Sequence, residues 1–201
     1  MSEGAKTATR PPGRPRSAEA DAAIVRATLQ TLVQDGYRGL SMERVRTLAG
    51  VGKATIYRRF PSKVELVKAA ILHLHQDLTA PEDTGSFRGD LETLQSTAIA
   101  AMRAADAPLF LPRVLAEAAE EPELHAIFRA TLVNPRRAAL RTVIERGIDR
   151  GELREEIDPE VVVDLLTAPY LYRLLIDAGD VESAFANHDA YLDVILRGAG
   201  R

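Results

Sequence analysis

Cysteine and tryptophan are absent from the 201-residue chain, and aromatic residues make up only 5% of it. Without thiols there can be no disulfide, no thiolate nucleophile and no sulfur-ligated metal site. Long apolar runs are also missing. The longest candidate, 161–172, is interrupted by Asp164 and Pro169 and falls short of the roughly 20 residues that span a bilayer. The N-terminus is polar and basic with no apolar stretch behind it, so a secretory signal is not expected. His73 and His75 are two apart, diverge by about 200° on a helix and share no ligand face; His125 and His188 are isolated. No glycine-rich phosphate loop occurs, and neither Ser41 nor Ser62 has an identifiable histidine–acid pair. The acidic pairs Glu120-Glu121 and Glu155-Glu156 read as solvated helix ends. These absences point away from an enzyme, from a metal or other cofactor, and from a membrane, and a cytoplasmic location is expected.

Hydrophobic residues make up 46% and charged residues 27%, the proportions of a soluble globular protein with a real core. The net charge of −3 hides an asymmetry: residues 1–75 carry +7 and residues 76–201 carry −10. Such a division suggests that the first part faces a polyanion and the second does not. Arginine outnumbers lysine 22 to 4, which hints at a G+C-rich genome.

The sequence reads as helix almost throughout, with no sustained period-two alternation and no internal repeat, so the fold class is all-α. Residues 1–17 are rich in Arg, Pro, Gly, Ser and Thr, and are expected to be a disordered basic arm. A helix is predicted from Ala18 to Gln34, stopped by Asp35-Gly36. Ser41 is a good N-cap for a short helix over Met42–Ala49. Gly50-Val51-Gly52 breaks it, a third helix follows over Lys53–Phe60, and Pro61-Ser62 opens a fourth from Lys63 to about Leu78. The polar connector 80–86 suggests a domain boundary, giving units of 18–78 and 79–201. Further helices are expected at about 87–104, 108–120, 122–150, 159–177 and 184–197, nine in total, with Pro135 kinking the long one.

Three short helices with tight turns inside a basic segment describe a helix-turn-helix. Gly50 sits where the turn needs positive φ, and Val51 and Ile56 are placed to pack inward. Lys53, Ala54, Thr55, Tyr57 and Arg58 are left to face a major groove, where small Ala54 and Thr55 permit close approach. Tyr57, Lys53 and Lys63 suit phosphates, and Lys63 also opens the fourth helix, where free N–H groups favour an anion. Ser41 completes the candidate DNA-contacting set.

The stretch from Ser41-Met42-Glu43 through Ala49-Gly50-Val51-Gly52-Lys53-Ala54-Thr55-Ile56-Tyr57-Arg58-Arg59-Phe60-Pro61-Ser62-Lys63 to Leu66 resembles the DNA-binding domain of the TetR family. A shorter match, Thr167 to Leu175, looks like the penultimate helix of a C-terminal domain class common in actinobacterial members. One departure is Arg46, near the crossing of the second and third helices where alanine is usual; its long stem is expected to reach outward. In the arm, Arg10-Pro11-Pro12-Gly13-Arg14-Pro15-Arg16 contains a Gly-Arg-Pro core around Arg14, with Arg16 beside it, that resembles an AT-hook, a segment suited to a narrow minor groove; a solubilising tail is the alternative.

The resemblance implies a homodimer on near-palindromic double-stranded DNA, released by a small-molecule effector. It implies a cavity among the middle helices, with Leu94, Ala98, Met102, Phe110, Arg113, Val114, Phe128, Leu132 and Tyr170 as candidates; periodicity alone assigns the apolar ones to a core. It also implies pairing of the last two long helices, through Val162, Leu165, Leu166 and Pro169 on one and Tyr191, Leu192, Val194 and Ile195 on the other. The alternative is an architectural DNA-binding protein without a ligand response.

Overall fold

The computed structural model describes residues 15–74, 80–104, 110–176 and 181–200, with the side chains of residues 15–17, 74, 101–104, 110–111 and 181–182 left undescribed. The first four helices are α1 (Pro15–Gly39), α2 (Met42–Ala49), α3 (Lys53–Arg59) and α4 (Lys63–Leu74). After the connector come α5 (Phe87–Ala104), α6 (Phe110–Ala118), α7 (Pro122–Phe128), a π-helical turn (Arg129–Val133) and α8 (Asn134–Asp149). The chain closes with α9 (Pro159–Leu175), α10 (Val181–Phe185) and α11 (His188–Ala199). All nine expected helices are present, two of them subdivided. There is no strand among the described residues, only an isolated antiparallel bridge between Leu153 and Gly200.

Local chemistry accounts for the boundaries. Pro15 opens α1 three residues earlier than the sequence suggested, at a position where a missing N–H is no loss. That places the backbone of Arg16 in a helical turn, not in an extended arm. Gly36 leaves the helical conformation at φ 72 and bends the chain there. Asp158 caps α9 by accepting the Glu160 N–H at 2.9 Å, with Pro159 behind it. The expected break near Pro135 takes the form of a π turn. Proline at 135 supplies no N–H and crowds the carbonyl four residues back, so the preceding turn widens to residues 129–133.

Two hydrophobic clusters hold the molecule together. The second lies wholly beyond the connector and includes Phe87, Leu91, Leu94, Leu140, Val143, Ile144, Val162, Leu166, Leu192 and Ile195. The first crosses the expected boundary. Ile24, Leu32, Tyr37, Leu40, Val45, Ile56, Leu66 and Ile71 from α1–α4 pack against Val114, Leu124, Ile127 and Phe128 from α6 and α7. The helix-turn-helix therefore completes its core with side chains from the following domain.

Asp90 is the one fully buried carboxylate among the described residues, and it ties the connector to the end of α8. It accepts the Thr84 N–H at 2.8 Å and the Thr84 hydroxyl at 2.7 Å, and pairs with Arg150 at 3.2 Å. Burial alone would raise its pKa, but these donors together hold it below the ordinary 3.8. Breaking a buried charge network by removing one member costs about 3 kcal/mol, so Asp90→Ala should lose about that much in urea unfolding at neutral pH. The stabilisation is complete above about pH 4 and fades as pH falls through the lower folded value. The gap between the two proteins should therefore narrow in more acidic buffer.

Candidate nucleic-acid interface and cavity

The tip of the first domain is built from the turn outward. The Ser41 hydroxyl caps α2, accepting the Arg44 N–H at 3.2 Å. Gly50 takes φ 65 and returns its N–H to the Arg46 and Thr47 carbonyls. Ile56 is completely buried, with Val51 and Phe60 packed beside it, and this fixes how α3 is rolled. At 3.6 residues per turn, that roll turns Lys53, Ala54, Tyr57 and Arg58 outward; all four are exposed, and Thr55 is half-buried. The expected recognition residues thus share one open face.

Charge pairing sorts the basic residues nearby. Arg44 pairs with Asp35 at 2.6 Å, Arg59 with Asp21 and Lys68 with Glu65 at 2.9 Å. Arg46 reaches outward and is neutralised by Glu43, which its Nε approaches at 2.9 Å, so the α2–α3 crossing is not forced open. Lys53 and Arg58 form no ion pair with any described residue. The Lys63 ammonium lies 3.8 Å from the centre of the Tyr37 ring. Burial lowers its pKa, against the pull of Glu123, Glu121 and Glu117. Arg14 lies outside the described residues, as do the side chains of Arg16, Met102 and Phe110.

Tyr37, which nothing in the sequence singled out, lies at the junction of the two domains. Its backbone N–H donates to Glu117 and its hydroxyl to Glu123, while neighbouring Arg38 pairs with Glu121. Burial and the Glu123 carboxylate hold the phenol protonated well above its ordinary range. The bend at Gly36 makes this approach possible, since a Cβ there would collide with the Glu117 carboxylate.

A cavity of about 470 Å³ opens behind this junction. Its walls come from α5 (Gln95, Ala98), α6 (Leu115), α7 and the π turn (Phe128, Leu132, Val133), α8 (Arg136, Arg137), α9 (Asp164, Leu166, Thr167, Ala168, Tyr170, Leu171, Leu174) and α10 (Phe185). Ala98, Phe128, Leu132 and Tyr170 are candidates that it brings together. Leu94 is buried in the second cluster and offers only its carbonyl, which accepts from Arg136 at 3.1 Å. Val114 packs into the first cluster, one residue (about 100° around the helix) from Leu115 on the cavity wall. Arg113 lies on the surface and pairs with Glu117 at 2.9 Å. The Tyr170 ring stacks on Phe185 at 4.6 Å and meets Tyr191 edge-on at 5.8 Å. Burial raises the Tyr170 phenol to about 12 and lowers the His188 imidazole, and the Tyr170 hydroxyl and His188 Nδ1 share a hydrogen bond of 2.6 Å.

The candidate pairing residues divide. Val162, Leu166, Leu192 and Ile195 are buried within the protomer's own second cluster, and Pro169 and Tyr191 are half-buried. Leu165 and Val194 are outward, at 52% and 70% exposure. The exposed stripe of α9 and its C-cap runs through Val161, Leu165, Tyr172, Leu175 and Ile176, and shares Leu165 with the expected set.

Residues 24–70 match the family model for bacterial regulatory proteins of the tetR family, and residues 81–190 match that for the tetracyclin repressor-like C-terminal domain. The chain belongs to the TetR family of transcriptional regulators. It is 34% identical to the DNA-binding transcriptional repressor TetR of Mycobacteroides abscessus, over 90% of this chain and 95% of that protein. It is 30% identical to the HTH-type transcriptional regulator YdeS of Bacillus subtilis, over 86% and 87%. The solved TetR family transcription regulator SCO0332 superposes with a TM-score of 0.62 at 26% identity, covering 91% of this chain and all of that one. The protein is thus a DNA-binding regulator and not an enzyme. No helix among the described residues is long and apolar enough to cross a membrane.

Arg136 and Gln95 are wall residues that the sequence did not bring forward, although one signal was available. Arg136 falls on the apolar stripe Leu132, Leu140 and Val143, where a charge is out of place. On the DNA side, Lys53→Ala should weaken binding about equally for every DNA sequence. It should also reduce the slope of log affinity against log salt by about one for each phosphate that is no longer neutralised, as measured by anisotropy at several salt concentrations.

Proposed function

We propose that this TetR-family protein is a homodimeric repressor, acting in the cytoplasm, that binds a near-palindromic operator and leaves it when a small effector fills the cavity. One observation carries the reading: the cavity wall is also the floor of the helix-turn-helix. Phe128 belongs to the first hydrophobic cluster, and Leu115, Leu132 and Val133 pack against it; all four line the cavity. A ligand that displaces these side chains therefore acts on groups that support α1 and α4. Because interiors are close-packed, the response is a shift between discrete packings and not a gradual deformation.

On DNA, Lys53 and Arg58 supply unneutralised charge while Ala54, Thr55 and Tyr57 approach the groove. Two such faces must meet successive major grooves about one helical turn apart, which a two-fold dimer provides. The exposed stripe Val161, Leu165, Tyr172, Leu175 and Ile176, with Val194 of α11 beside it, is the apolar surface offered to a second copy. The relatives are named as HTH-type regulators and, in one case, as a repressor, and repression is the mode proposed here.

Selection of genomic fragments by the purified protein, followed by anisotropy titration, tests the DNA half of the proposal. Two protomers should bind one fragment about a thousandfold more tightly than random DNA; equal affinity for both would defeat it. Screening small apolar compounds for release of that fragment tests the other half. An arginine at the centre of the stripe, Leu165→Arg, should give monomers in sedimentation experiments, with the helical signal kept and DNA affinity reduced at least about tenfold. A dimer that persists would mean that another face pairs.

A further inference from the structure

Two adjacent arginines border the cavity and differ in what neutralises them. Arg137 pairs with Asp164 at 2.6 Å and with Glu160. Asp164, the one carboxylate on the cavity wall among the described residues, is turned largely to solvent and occupied by that pair. Arg136 has no carboxylate within ion-pair distance among the described residues. Its two partners are neutral oxygens: the Leu94 carbonyl at 3.1 Å and Gln95 Oε1 at 2.8 Å. A guanidinium carries five N–H donors and no acceptor, so most of its donors remain for something else. Burial lowers its pKa to about 10, which still leaves it charged at neutral pH.

Gln95 points the same way. Arg136 is a pure donor, so it fixes the amide with Oε1 toward itself and Nε2 away. Gln95 is only 6% exposed, and its Nε2 is buried without a hydrogen-bond partner. Arg136 therefore offers the cavity N–H groups and a positive charge, and the Gln95 amide beside it holds a further donor without an acceptor. Around them the wall is apolar or aromatic: Phe128, Leu132, Leu171, Leu174 and Phe185. A half-buried cation without a counter-ion and a buried donor left unsatisfied are both costly unless an acceptor reaches them.

We infer that the effector is an anionic amphiphile, with an apolar body against this wall and one oxyanion (carboxylate, sulfonate or acidic phenolate) on Arg136 and Gln95. This rests on reading the cavity as the effector site. A bound oxyanion would supply the missing counter-charge and accept the free donors, bonds stronger than those between neutral groups.

A matched pair of fluorescent probes provides the test: anilinonaphthalene sulfonate, and N-phenylnaphthylamine, the same body without the sulfonate. Both are titrated against the full-length protein. The sulfonate should bind at least about tenfold more tightly than its neutral twin. Arg136→Gln removes the charge, and Gln95→Glu supplies an internal counter-ion. Each should erase the preference while leaving the neutral probe within about twofold, which also shows that the variant is folded. Ala98→Trp, filling the cavity, should abolish both. Equal binding of the two probes to the wild type, a preference that survives both charge changes, or sulfonate binding that survives Ala98→Trp would overturn the inference. If neither probe binds, the effector-cavity reading falls and the inference goes with it. Binding of the neutral probe alone leaves the cavity standing and removes only the anion.

Discussion

Tyr37 is held by carboxylates from the other half of the chain: Glu117 accepts its N–H and Glu123 its hydroxyl, with Lys63 over its ring. This contact decides what the molecule can do. It pins the turn between α1 and α2 to α6 and α7, beneath which one hydrophobic cluster runs unbroken from Ile24 to Phe128. The two domains that composition and family models separate near residue 80 are therefore not mechanically separate. Gly36 is what permits it, being the residue whose positive φ and missing side chain let Glu117 approach.

The cavity depends on a different constraint, the disruption of regular helix by proline. Pro135 forces the π turn at 129–133, and Leu132 and Val133 of that turn line the cavity. Pro169 sits inside α9 among wall residues on either side of it, Ala168 and Tyr170. A π turn within an α-helix often marks a functional position. Here it lies between the core of the helix-turn-helix, through Phe128, and the half-buried Arg136 of α8. Movement of the wall and support of the DNA-binding face share the same few side chains.

Much of this was legible in the sequence. Turn chemistry located the first three helices to within a few residues, because a capping Ser41, a positive-φ Gly50 and an inward Ile56 each leave a local signal. The asymmetry of charge pointed to the DNA-facing half. What was not legible was rotation about a helix axis. α9 is apolar on nearly every side, so Val162, Leu165 and Leu166 could not be told apart until packing showed that only Leu165 of the three faces outward. The same 100° error put Val114 in the cavity in place of Leu115. Long-range pairing was hidden as well: nothing local says that Glu123 meets Tyr37, or that the Lys63 ammonium lies over the Tyr37 ring. Arg136 was the exception, a charge on an apolar stripe whose meaning lies in its lack of a counter-ion.

Regulation through the cavity requires that both domains respond as one unit, and thermal unfolding of the intact protein by calorimetry tests this most directly, with no ligand needed. A single cooperative transition is expected in the wild type, separating into two when Glu117 and Glu123 are both replaced by alanine. Two separate transitions in the wild type, with the helix-turn-helix melting on its own, would contradict the coupling on which the whole mechanism rests.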